Sequence, residues 1–143
     1  MTKPITQSVT LPASAASLYR MYLNSKSHAA MTGGKVTISA RRGSKFSAFG
    51  GLLWGRTLHT VPGHLIVQAW RSANFHKKDV DSTLILRFVP LGAKKARVEL
   101  THVNVPPQDH RGVTNGWKKY YWGPWRRYLT RRRSGGRITI AGR

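Results

Sequence analysis

The sequence contains no cysteine. No disulfide can staple it and no thiolate can hold a metal, a usage that fits a reducing compartment. It has only four acidic residues, Asp79, Asp81, Glu99 and Asp109, against 25 lysines and arginines. Acid–base, nucleophilic and metal-assisted catalysis draw on positioned carboxylates, nucleophiles or metals, and so thin a supply argues against an enzyme. Nowhere do about 18 apolar residues run together, and the amino end lacks an apolar stretch of signal-peptide length. A cytoplasmic protein without a membrane span is expected. Hydrolase elbow, P-loop, dinucleotide and H-E-x-x-H motifs are missing, as are helix-turn-helix, RNA-recognition and zinc-finger signatures. No cofactor is implied, and no repeat of roughly 20 to 50 residues suggests a solenoid or propeller.

What is present is bulk and positive charge. The 143 residues suit one domain, and five Trp, five Tyr and four Phe supply large surfaces for a core. The net charge of +21 draws in polyanions such as nucleic acid, an anionic membrane surface or an acidic protein.

Alternation of apolar and polar residues predicts a first strand over Ile5 to Leu11, interrupted on its apolar face by Gln7. Ser14 is placed to cap a helix ending at Leu23. Ser25 is placed to cap a shorter one over Lys26 to Met31, closed by Gly33-Gly34. Turn-marked strands succeed one another over Lys35 to Ala40, Lys45 to Phe49, Leu52 to Thr60, His64 to Arg71, Ser82 to Val89 and Lys95 to Val103. In the His64 to Arg71 strand both Leu65, Val67 and Ala69 and the set of Ile66 and Trp70 are apolar, so either can face inward. Val105-Pro106-Pro107 then leads to the aromatic, basic stretch Asp109 to Arg133. There Val113, Trp117, Tyr120, Tyr121, Trp125 and Tyr128 recur at helical spacing, while Gly123-Pro124 should kink or loosen the helix. The order is that of an α+β domain in which one curved antiparallel sheet of about six or seven strands wraps a long C-terminal helix. The domain is read as residues 1–130, with 131–143 a flexible basic tail.

Several strings, in this order, carry a resemblance. Phe46 to Phe49 is followed by Gly50-Gly51, then Gly55, then Pro62 before Ile66 to Arg71, then Thr83 to Phe88, Val105-Pro106, and Gly116-Trp117 with Tyr120-Tyr121. Together they resemble the START-like helix-grip superfamily (SRPBCC), and within it the family named after the C-terminal domain of the activator of the heat-shock-protein-90 ATPase. The chain departs from that pattern at Gly50, where the family has Asp, and at Ala96-Arg97, where it has Gly-Thr. The resemblance implies the helix-grip fold and a stress or chaperone setting. It also implies a cavity between sheet and helix for a small apolar or amphipathic ligand, with Trp54, Trp70, Leu86, Phe88, Leu100, His102, Trp117 and Tyr121 as the expected lining.

The alternative is a structural role for the same residues. The rings can simply fill the core, and His102, on the inner face of its strand, can be a satisfied core histidine as well as a polar tip in a pocket. Glu99 is expected outward beside Arg97, and His76 with Asp79 and Asp81 in a solvated loop. No metal site is expected. A second class of function is binding of nucleic acid or another polyanion. It is motivated by the charge and by Arg131, Arg132, Arg133 and Arg137, which have too few apolar neighbours to pack.

Overall fold

A computed structural model of the chain describes residues 2–142, with side chains described for 2–132. Six strands form one antiparallel sheet: β1 (Ile5–Leu11), β2 (Lys45–Ala48), β3 (Leu53–Val61), β4 (Leu65–Ser72), β5 (Ser82–Gly92) and β6 (Lys95–Val103), in the spatial order β1-β6-β5-β4-β3-β2. Two helices, α1 (Ala15–Leu23) and α2 (Ser25–Thr32), carry the chain from the β1 edge to the β2 edge. Ser14 caps α1 by accepting from the Ser17 N–H.

Register places the inner rows. Ile5 faces His102, which faces Leu84; Val9 faces Val98, which faces Phe88; Ile66 faces Leu86, which faces Leu100. All are buried. In β4 the inner residues are Ile66, Gln68, Trp70 and Ser72, which settles the choice that composition left open. Gly55 sits on the inner row of β3 opposite Trp70 and Phe46. A Cβ there would meet the Ala69 carbonyl oxygen at 1.9 Å, so only glycine permits this approach.

The predicted strand over Lys35 to Ala40 does not form. Ser25 turns its hydroxyl to Ile38, donating to its carbonyl (3.0 Å) and accepting from its N–H (2.8 Å), which removes both groups from any ladder. A single bridge from Thr37 to Ser47 remains. Asn24 therefore caps α2 in place of Ser25, accepting from the Ser27 N–H at 2.9 Å.

The C-terminal helix runs without a break in three parts: α3 (Pro107–Gly116), a π-helical segment (Trp117–Trp122) and α4 (Gly123–Gly142). Pro107 starts it at the position where a missing N–H costs nothing. The buried positions Val113, Trp117, Tyr121, Trp125 and Leu129 recur every four residues. At about 100° per residue each such step overshoots a full turn by about 40° in an α-helix, and a wider turn reduces that drift. Gly123 donates to the Lys118 carbonyl, five residues back, just before Pro124, which has no N–H to offer. The loosening expected at Gly123-Pro124 thus takes the form of a π turn immediately before it. Trp122, brought inward by this winding, stacks between Trp117 (5.5 Å) and Trp125 (6.4 Å). Gln7 clamps the helix to β1: its side-chain oxygen accepts from the Trp122 indole (2.7 Å) and its amide donates to the Thr114 carbonyl (2.8 Å).

Candidate functional site

A cavity of about 370 Å³ lies between the first half of the C-terminal helix, the β2–β3 turn and the end of β4. From the helix come Asp109, Gly112, Val113, Gly116, Trp117, Tyr120 and Tyr121, which share one face at three- and four-residue spacing. The two glycines keep the helix surface low there. The opposite wall is Phe49, Leu52, Leu53, Trp70 and Ser72, with Ala73 and Asn74 of the following loop. Phe49, Gly50 and Gly51 all have positive φ (51°, 65° and 97°), and this left-handed run turns the Phe49 ring against Tyr120 and Tyr121 at 5.8 and 5.7 Å. A non-glycine residue there stores about 1–3 kcal/mol of strain, sustained by the surrounding packing. Leu52 (60% exposed) and Tyr120 (49%) stand at the mouth, so the cavity opens to solvent.

Its wall is mostly apolar with one polar corner. Asp109, in the first turn of α3 and 4% exposed, accepts from the Ser72 hydroxyl (2.5 Å) and the Asn74 side-chain amide (3.0 Å). Behind the rings lie two buried histidines. The Trp117 indole donates to His102 Nδ1 (3.2 Å), so His102 Nε2 carries the proton and donates to Ser82 Oγ (2.9 Å), which in turn donates to the Trp70 carbonyl (2.6 Å). Burial, with a contribution from the His110 charge, lowers His102 to about 3. His28 Nδ1 donates to the Tyr22 carbonyl (2.7 Å), leaving Nε2 to accept from the Tyr121 hydroxyl (2.9 Å). Burial lowers His28 to about 4 against the opposing pull of that carbonyl. Burial raises Tyr121, and both histidines are neutral near pH 7. They hold the Trp117 and Tyr121 rings in place.

Of the residues expected to line a cavity, Trp70, Trp117 and Tyr121 do so. His102 sits behind Trp117 as a satisfied core histidine. Leu86, Phe88 and Leu100 are fully buried in the core away from the cavity. Trp54 is a correction: it is 38% exposed on the outer face, because Gly55 and Thr57 hold the inner row of β3 and strand alternation sends Trp54 outward. Asp109, Phe49 and Val113 are additions to the expected lining. Asp109 and Val113 lie eight and four residues before Trp117, so helical spacing from Trp117 finds them. Phe49 owes its place to the left-handed turn, which spacing does not reveal.

The other three acids have ordinary partners. Glu99 accepts from Arg87 and Arg97, both at 3.0 Å. Asp81 pairs with Arg71 at 3.0 Å. Asp79 accepts from the His76 N–H (2.7 Å) and the Gln108 amide (2.8 Å). Among the described residues no three His, Asp or Glu side chains could share a metal ion. None of the helices there is long and apolar enough to cross a membrane. Arg131 and Arg132 are exposed on α4, whose bounds reach into the segment read as a flexible tail. The side chains of Arg133 and Arg137 lie outside the described residues.

Comparison with known proteins agrees with this architecture. A family model described as Activator of Hsp90 ATPase homolog 1-like protein matches residues 12–129. An "Activator of 90 kDa heat shock protein ATPase homolog" of Dictyostelium discoideum is 30% identical over 121 residues, which cover 82% of this chain. They cover 31% of that relative, so the chain spans about a third of its length. Among solved structures, an HSP90 activator from Plasmodium falciparum superposes with a TM-score of 0.75 at 19% identity, covering 99% of this chain and 97% of its own. The Aha1 dimer from Colwellia psychrerythraea gives 0.74 at 12% identity, covering 90% and 96%. At these identities the structural likeness speaks for the fold.

Proposed function

The chain belongs to the Activator of Hsp90 ATPase homolog 1-like family, and from that premise we propose that it is a non-catalytic helix-grip domain binding a small apolar or amphipathic molecule between sheet and C-terminal helix. The observation that carries this reading is the open cavity of about 370 Å³ with its apolar wall. Its volume falls in the range of small-molecule sites, and one polar corner beside aromatic walls is the usual composition of such sites. The polar groups of Tyr121 and Trp117 are already paired inward with His28 and His102, so the rings offer faces in preference to reactive groups. Titration with straight-chain alcohols, followed by melting temperature and by tryptophan fluorescence, tests it. Saturable stabilisation is expected, and a chain indifferent to every apolar probe refutes it. The chaperone named in its relatives sets the context: addition of the purified chain should raise the ATPase rate of a 90 kDa heat-shock protein, and no change removes that part.

A second reading comes from charge placement. Between residues 110 and 132 the helix has no acid, and Lys118, Lys119, Arg126, Arg127, Arg131 and Arg132 are exposed on it. Such a surface supports salt-sensitive binding of nucleic acid or another polyanion. A synthetic RNA titrated at several salt concentrations should show affinity falling with salt, with a shallower slope once Lys118, Lys119, Arg126 and Arg127 are changed to Gln. Lack of binding at low salt would dismiss it.

A further inference from the structure

The polar corner of the cavity carries more than the apolar wall does, provided that the cavity binds a ligand at all, as proposed above. Asp109 is the one buried acid among the described residues. No described Lys, Arg or His forms an ion pair with it within 4.0 Å, although the chain holds 25 lysines and arginines. Asp81 and Glu99, both more exposed, do have arginine partners. Asp109 is left with two neutral donors, Ser72 and Asn74.

Those two bonds leave acceptor capacity unused, since a carboxylate offers about four lone-pair sites. The first-turn position adds a weak interaction with the helix dipole, which does not take the place of a counter-charge. The carboxylate is also approachable. Gly112 is exposed, lines the cavity, and would place a Cβ only 3.2 Å from Asp109 Oδ1 if it had one. Its bare Cα leaves that oxygen open toward the mouth.

We propose that the cavity is selective for an amphipathic amine. The apolar body packs against Trp70, Val113, Trp117 and Tyr121, and the ammonium group donates to Asp109 from the Gly112 side. The corner then receives the counter-charge that the fold withholds. The expected preference runs against the protein's long-range field, because a net charge of +21 favours anions everywhere else on the surface.

Octylammonium, octanol and octanoate share one apolar body and differ only in head group, and calorimetric titration of the full chain with each provides the test. A hydrogen bond to a charged partner is worth about 1.5–3 kcal/mol, so octylammonium should bind about tenfold or more tighter than the other two. In Asp109→Asn the excess of octylammonium affinity over octanol affinity should vanish, whatever the variant does to binding of the shared apolar body. If octanol or octanoate binds wild type as tightly as octylammonium, the amine assignment is wrong and the apolar pocket stands. If none of the three binds, both readings fall. The three-probe comparison on wild type decides the matter even where Asp109→Asn does not fold.

Discussion

Replacing Gly116 by alanine separates stability from function at one position. Gly116 lies on the cavity face of the helix with φ −62° and ψ −38°, ordinary helical values that alanine adopts freely. An added Cβ would find Tyr120 Cδ2 at 3.6 Å as its nearest neighbour, a normal contact with no clash. Glycine in a helix interior is less favourable than alanine by about 0.8–1.0 kcal/mol, and the substitution should return most of that. For a domain of this size the gain corresponds to a rise in Tm of about 3–4 °C. The same methyl enters the cavity and takes volume from any ligand there, at a cost of about 1 kcal/mol or more in affinity, or about fivefold. The assay is a melt with and without octanol, paired with calorimetric titration. Higher Tm with weaker octanol binding is expected. A lower Tm would mean that the backbone or its neighbours are strained at Gly116 in a way the geometry denies, and a higher Tm with unchanged affinity would move the ligand out of this cavity.

Three other outcomes rest on the packing. Burial holds His28 near 4 and His102 near 3, whereas in the unfolded chain both titrate near 6.5. The unfolded state therefore binds more protons below about pH 6.5, so stability should be full above that pH and decline as pH falls toward 4, by about 2 kcal/mol per histidine at pH 5. Urea melts from pH 8 to 5 read this directly, and a flat profile would contradict the burial of neutral rings. Gly55→Ala forces a Cβ against the Ala69 carbonyl, which as backbone cannot swing aside; a loss of about 3 kcal/mol or more by denaturant melt is expected, and a near-neutral result would show that β3 and β4 are not this close. Trp54→Ala, on the outer face, should change stability by no more than about 1 kcal/mol and leave octanol binding intact; loss of binding would return Trp54 to the cavity wall.

Most strands and the Ser14 cap are legible in the sequence because each depends on near neighbours, whereas the cap expected at Ser25 falls to Asn24. Alternation over Ser82 to Val89 sets an inner face once one side meets a core, and Ser14 finds its N–H partner three residues on. Lys35 to Ala40 has the same alternation yet forms no strand, because a hydroxyl thirteen residues earlier, Ser25, takes the backbone groups of Ile38. The π segment has a readable cue in the four-residue recurrence from Val113 to Leu129, a period longer than that of an α-helix. The site is half legible. Trp70, Trp117 and Tyr121 can be placed by family strings and face, while Leu86, Phe88 and Leu100 share their inner faces yet are buried in the core, Phe88 against the Tyr19 ring.

By itself, then, the sequence determined what local geometry dictates: an α+β chain of short strands, two short helices and one long aromatic helix, with charge of one sign dominating its composition. The tertiary structure alone decided which inner residues remain uncovered. A cavity is what is left between surfaces that fail to meet, and its position depends on the left-handed turn at Phe49, the bare helix face at Gly112 and Gly116, and the register that seats Ser72 beside Asp109. These are relations among segments far apart in the chain, set by packing distances that no residue pattern encodes.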